Sequence, residues 1–142
     1  NSFLISMDSD AAFANPGFPL KELLGGLSHD KSVFLAKDPN MWRPPAECEA
    51  GVYCSGFVLV RLDAYGRRFL KEWRDAYDPS QWWQDELGRW SSDGNWAGAT
   101  YEQGQLNRLA HGHLQHLVQE LPQALFNSPF AREVGEVQPV IV

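Results

Sequence analysis

The sequence predicts an α/β domain with a mixed sheet flanked by helices, and three observations predict it. Short continuous apolar runs that read as strands alternate with segments whose apolar residues recur at helical spacing. Clusters of Pro, Gly and Asn separate the two kinds of segment. The chain of 142 residues is 44% hydrophobic and 13% aromatic, enough to bury one core and too apolar for disorder. No internal repeat or low-complexity tract is visible.

"SFLISM" (2–7) opens the chain as a short buried strand. "AAFANPGF" (11–18) is a helical turn broken at Asn15, Pro16 and Gly17. "PLKELLGGL" (19–27) is a short helix, with Pro19 in its first turn and Gly25-Gly26 ending it. "KSVFLAKD" (31–38) is a second strand, and three prolines make 39–51 a loop. "YCSGFVLVRL" (53–62) is a third strand, whose internal Gly56 marks a close approach of backbone or ligand, or else a bulge. "DAYGRRFLKEWRDAY" (63–77) is the clearest helix: Asp63 is its N-cap, and Ala64, Phe69, Leu70, Trp73 and Tyr77 form its apolar stripe. Residues 78–100 are irregular and rich in Trp. "YEQGQLNRLAHG" (101–112) is a helix ended by Gly112. "LQHLVQELP" (114–122) is a strand, "ALFNSPF" (124–130) is turn-rich, and "QPVIV" (138–142) is a last strand.

The net charge of -6 argues against a non-specific nucleic-acid binder, which needs a basic face. No apolar run approaches the roughly 20 residues of a membrane span, and neither a signal peptide nor a transit peptide is evident. Of the two cysteines, Cys48 and Cys54 bracket "CEAGVYC", leaving a disulfide, free thiols or an outside partner open. The chain enters a strand almost at Asn1 and stops inside another at Val142. We therefore expect 1–142 to be one partial domain of a larger protein, cut at both ends.

Five stretches carry chemistry. Asp8 and Asp10 flank Ser9 at the end of an apolar strand. On extended chain they point the same way and can grip one hard divalent cation, or divide a cation and a sugar hydroxyl between them. Ligands of α/β sheets bind beyond strand carboxyl ends, although Asp-x-Asp also ends ordinary strands in a turn. Ser55-Gly56 offers a small, backbone-rich surface at the sheet rim. Glu102-Gln103 begins a helix, where Glu suits the dipole and the pair can also reach substrate hydroxyls. His111, His113 and His116 cluster as metal ligands can, but Gly112 breaks the helix between the first two, and histidine also suits helix C-termini. Among Trp82, Trp83, Trp90 and Trp96 we expect most to pin the loop to the core and one to meet an acceptor.

Taken in order, "MDSDAAF", "VYCSGFVLVR", "RRFLKEW", "YEQGQLNRL" and "LPQALFNSPF" resemble a glycosyltransferase of the GT-A fold, similar to the galactosyl- and xylosyltransferase group. The resemblance spans nearly the whole chain. It implies the C-terminal part of a nucleotide-sugar transferase domain, moving a hexose or pentose from a nucleotide-diphosphate sugar to a hydroxyl of a glycan or glycoprotein acceptor. It further implies that Asp8, Ser9 and Asp10 hold Mn²⁺ (or Mg²⁺) and the diphosphate, with Asp8 and Asp10 as ligands. Ser55, Gly56 and Asn127 would bind substrate, and Glu102 and Gln103 would be the catalytic pair, facing the reacting sugars. Ser55 stands where the family commonly has Asn. The family's further metal ligand, a His in a His-x-x-Gly segment, would follow a strand like "PVIV", and the half that binds the base and ribose would precede Asn1. Eukaryotic relatives would lie in the Golgi lumen behind a membrane anchor outside this segment.

Two alternatives stand beside it. Haloacid-dehalogenase-like phosphatases also begin with an apolar strand and Asp-x-Asp. Here, however, Ala11-Ala12 stands where that family has a small residue and then Thr or Val, and no late Asp-Asp pair completes its Mg²⁺ site. A non-catalytic sugar-binding module of the same fold is the other.

Overall fold

The structure is a computed structural model and describes residues 2–9, 11–13, 17–38, 52–92 and 100–126. Four apolar runs pair into one sheet in the order β1 (Phe3–Met7), β3 (Tyr53–Arg61), β2 (Val33–Lys37) and β6 (Val118–Leu121). β3 runs antiparallel to both neighbours, with Met7 opposite Phe57 and Val33 opposite Val60. β6 lies parallel to β2, with Val33 opposite Val118, so the sheet is mixed as expected.

Side-chain alternation sorts the central strands into two cores. Val33, Leu35, Val58 and Val60 face one side. There they meet Phe69 of helix α2 (Ala64–Asp75) and Leu106, Leu109 and Ala110 of helix α3 (Glu102–His111). Phe34, Ala36, Phe57 and Leu59 face the other side, covered by Leu23 and Leu24 of helix α1 (Leu20–Gly26) and by Leu125 and Phe126 of the short helix α4 (Gln123–Phe126). Burial on both faces explains why β2 and β3 read as unbroken apolar runs. β1 differs from its expectation as a buried strand. Among the described residues it is at the sheet edge, packs Phe3, Ile5 and Met7 on the core, and leaves Leu4 and Ser6 exposed.

The β3–α2 junction is tight. Asp63 caps α2, its Oδ1 accepting from the Gly66 N–H at 2.8 Å and its Oδ2 from the Ser32 hydroxyl at 2.8 Å. A Cβ on Gly66 would fall 1.9 Å from the Arg61 carbonyl oxygen, so glycine alone lets the helix start this close to the strand. Arg61 is itself buried. Its guanidinium donates to the carbonyls of Ser28 (2.7 Å) and His29 (3.1 Å) and lies over the rings of Phe3 and Phe34. Ala64, expected on the apolar stripe, is exposed, and Tyr77 is 60% exposed.

Two further expectations change. The Trp-rich stretch contains a hairpin, β4 (Trp82–Gln84) paired antiparallel with β5 (Trp90–Ser92), closed by an Asp85 side chain that accepts from the Leu87 and Arg89 N–H groups, with Gly88 at φ +74°. The expected strand over 114–122 begins with a 3₁₀ turn at Gln115–Leu117 and becomes β6 only from Val118. The loop at 39–51 and the expected last strand at 138–142 lie outside the described residues, as does Cys48.

Candidate functional site

β1 and β2 end, and β3 begins, along one rim of the sheet, and the N-terminus of α3 stands over that rim. The expected residues meet there. The Asp8 N–H donates to the Gly56 carbonyl at 3.0 Å, continuing the β1–β3 ladder to the carboxylate. A Cβ on Gly56 would fall 3.1 Å from Asp8 Oδ2 and 3.3 Å from Cys54 Sγ. Gly56 therefore makes room for the Asp8 carboxylate to lie against the β3 backbone, the close approach that a strand glycine foretells.

Ser55 is buried beside it. Its N–H donates to Gln103 Oε1 at 3.1 Å, and its hydroxyl lies 3.1 Å from the same oxygen and 3.3 Å from Glu102 Oε1. Gln103 is buried as well, and its Nε2 donates to Asp38 Oδ2 at 3.3 Å, at the end of β2. One turn on, the buried Asn107 accepts from the Tyr53 N–H at 2.6 Å and donates to the carbonyls of Tyr53 and Gln103, each at 2.8 Å. Two amides at i and i+4 on one helix face thus finish the hydrogen bonding of the first residues of β3. Asp38 and Asn107 were not singled out in the sequence. The spacing of Asn107 from Gln103 is the signal that could have found it.

Glu102 stays exposed in the first turn of α3, and its carbonyl accepts from the Trp73 indole N–H at 2.9 Å. Ser9 is exposed in a turn that the Ala11 N–H closes onto the Asp8 carbonyl at 3.1 Å. Asp10 and Asn127 lie outside the described residues. The rim therefore gathers Asp8, Ser55, Gly56, Glu102 and Gln103, with Asp38 added. Among the described residues, no group of three or more His, Cys, Asp or Glu side chains is placed to hold a metal ion. The donor set still suits a hard divalent cation in kind, because a cation bound to a diphosphate takes only one or two protein carboxylates.

The histidines part company. The His111 ring stacks on Tyr53 at 4.9 Å between centroids, and His113 Nε2 lies 2.7 Å from Glu72 Oε2. His116 contributes its carbonyl to Lys31 Nζ at 2.7 Å. The tryptophans divide too. Trp82 packs edge-on against Tyr101 at 5.0 Å, whereas Trp83 and Trp90 are exposed rather than pinned to the core; Trp96 lies outside the described residues. Beside Glu102 a cavity of about 490 Å³ opens between α2, the hairpin and the start of α3. No described helix is long and apolar enough to cross a membrane.

Set against models of protein families, curated proteins and solved structures, the chain matches none of them.

Proposed function

We propose that this chain is part of a GT-A-type glycosyltransferase that moves a hexose or pentose from a nucleotide-diphosphate sugar to an acceptor hydroxyl. One observation carries the reading. Asp8, Ser55-Gly56 and Glu102-Gln103, far apart in sequence, converge on one sheet rim, with Asp8 lying against Gly56 and the Ser55 hydroxyl within 3.3 Å of Glu102. Strand carboxyl ends are where α/β sheets bind ligands.

In this reading Asp8 and Asp10 would hold Mn²⁺ or Mg²⁺, which when bound would offset the negative charge of a leaving diphosphate. Glu102, exposed beside the rim, is the acidic group facing the reacting sugars. Gln103 has a different part. Its amide oxygen and nitrogen are engaged by Ser55 and Asp38, so it positions the start of β3 and, through it, Ser55. Gly56 gives the Asp8 carboxylate its place against the β3 backbone, and Asn127 would complete the substrate contacts.

The test is calorimetric titration of the full-length protein with UDP and with GDP, with and without MnCl₂. Binding of a nucleotide diphosphate should require Mn²⁺. Asp10→Ala should weaken it by at least the roughly tenfold that even an outer-shell partner costs a metal site. Binding that ignores Mn²⁺, or that survives Asp10→Ala unchanged, removes the metal assignment.

A further inference from the structure

We propose that the cavity between α2, the β4–β5 hairpin and the start of α3 is a carbohydrate subsite that holds the acceptor glycan; this rests on the glycosyltransferase reading and extends it. At about 490 Å³ the cavity is within the roughly 300–1,000 Å³ of small-molecule sites. Four aromatic residues stand in its walls: Trp73 from α2, Tyr77 just after α2, Trp82 from the hairpin, and Tyr101 just before α3. Aromatic faces suit the C–H faces of a sugar ring, and the same ring needs partners for its rim of hydroxyls.

Polar side chains stand beside them. Arg74 and Glu102 also line the cavity. The Arg74 guanidinium is already paired with Asp75, through Nε at 2.9 Å and Nη2 at 2.7 Å, and Glu102 adds a negative charge. A wall of this charge favours a neutral polyol over an anion. A purely apolar ligand would set the exposed Glu102 carboxylate against an apolar surface.

Position ties the cavity to the rim. Glu102 forms part of its wall while Glu102 Oε1 lies 3.3 Å from the Ser55 hydroxyl, so a sugar seated here brings its hydroxyls to the carboxylate of the proposed site. The hairpin register puts Trp90 on the same face as Trp82, because Gln84 pairs with Trp90 and Trp82 with Ser92. Trp90 is 67% exposed, an aromatic surface suited to the next sugar unit of a chain.

The experiment uses the full-length protein and two readouts. Saturation-transfer NMR measures binding of linear tetrasaccharides of glucose, galactose and mannose, and calorimetry measures UDP and GDP with MnCl₂. At least one tetrasaccharide should bind. Tyr77→Ala and Trp90→Ala should each weaken it, by about tenfold for the lost aromatic face. Trp83→Ala, on the opposite hairpin face, should leave it unchanged. Tyr77 is exposed, so its substitution tests the site without threatening the fold. If no tetrasaccharide binds, or if neither substitution weakens one that does, while nucleotide binding stands, the subsite is wrong and the transferase reading survives. If a tetrasaccharide binds as expected but no nucleotide diphosphate does, the transferase reading falls, and the acceptor role of the cavity falls with it.

Discussion

A Cβ added at Gly56 meets the ends of two side chains, Asp8 Oδ2 at 3.1 Å and Cys54 Sγ at 3.3 Å, and both can give by a few tenths of an ångström. Gly56→Ala should therefore cost little stability, about 1 kcal/mol or less in urea titration. It should displace the Asp8 carboxylate and weaken Mn²⁺-dependent nucleotide binding several-fold. Unchanged binding would mean that Asp8 is not used where it lies. At this scale the sequence was informative about which residues matter and silent about what satisfies them. Asp8, Ser55, Gly56, Glu102 and Gln103 could be named from local pattern. The Gln103–Asp38 bond and the Asn107 grip on Tyr53 could not, because each joins residues distant in the chain through geometry that only the folded sheet supplies.

Among the elements, α2 is the best determined from sequence and the most sensitive. Its cap and the middle of its stripe follow local rules; the structure agrees over Ala64–Asp75 but ends the helix two residues before Tyr77 and leaves Ala64 and Tyr77 exposed. The contact of Gly66 with the Arg61 carbonyl is different in kind from that at Gly56. At 1.9 Å the obstacle is backbone, with Val60 Cγ1 at 2.8 Å beside it. Gly66→Ala should cost roughly 1–3 kcal/mol, the range for overpacking, or more if the helix must shift, and should lower the urea midpoint without changing the slope. A cost under 0.5 kcal/mol would show that the junction is looser than described. The β4–β5 hairpin escaped the sequence reading for a physical reason. Its strands are three residues each, too short to show alternation, and its turn is closed by the Asp85 side chain rather than by an Asn-Gly or Asp-Gly pair. The 3₁₀ turn before β6 was hidden for a related reason: a short apolar run does not distinguish a buried turn from a strand.

For the molecule as a whole, the α/β class and the mixed sheet were legible because β2 and β3 are buried on both faces and α2 carries a clean stripe. The two-sided core and the edge position of β1 were not, since strand order is set by long-range pairing. A global consequence concerns acid. Burial pushes the Asp63 carboxyl up, but bonds donated by Gly66, Ser32 and Tyr65, with the Arg61 charge, outweigh it and hold it below the ordinary carboxylate range. Asp30, held by the Ser28 hydroxyl, and Asp85, held by the Arg89 backbone, are lowered too. A folded-state pKa below the unfolded one adds stability that is complete above the unfolded value and lost as pH falls through the folded one. Urea midpoints should therefore fall as pH drops below about 4, the unfolded carboxylate range. Asp63→Asn should be less stable at neutral pH and lose less on acidification. Parallel pH profiles for the two proteins would remove Asp63 from the account.

The bond from the Trp73 indole to the Glu102 carbonyl has a use beyond holding α2 to α3. It makes a chromophore of the protein's own a gauge of where the acidic end of α3 stands. An event that shifts the backbone at the start of α3 changes that bond, and the indole's emission should respond to it. A variant retaining Trp73 with its neighbouring tryptophans replaced by phenylalanine would carry an optical readout of the rim without an added label.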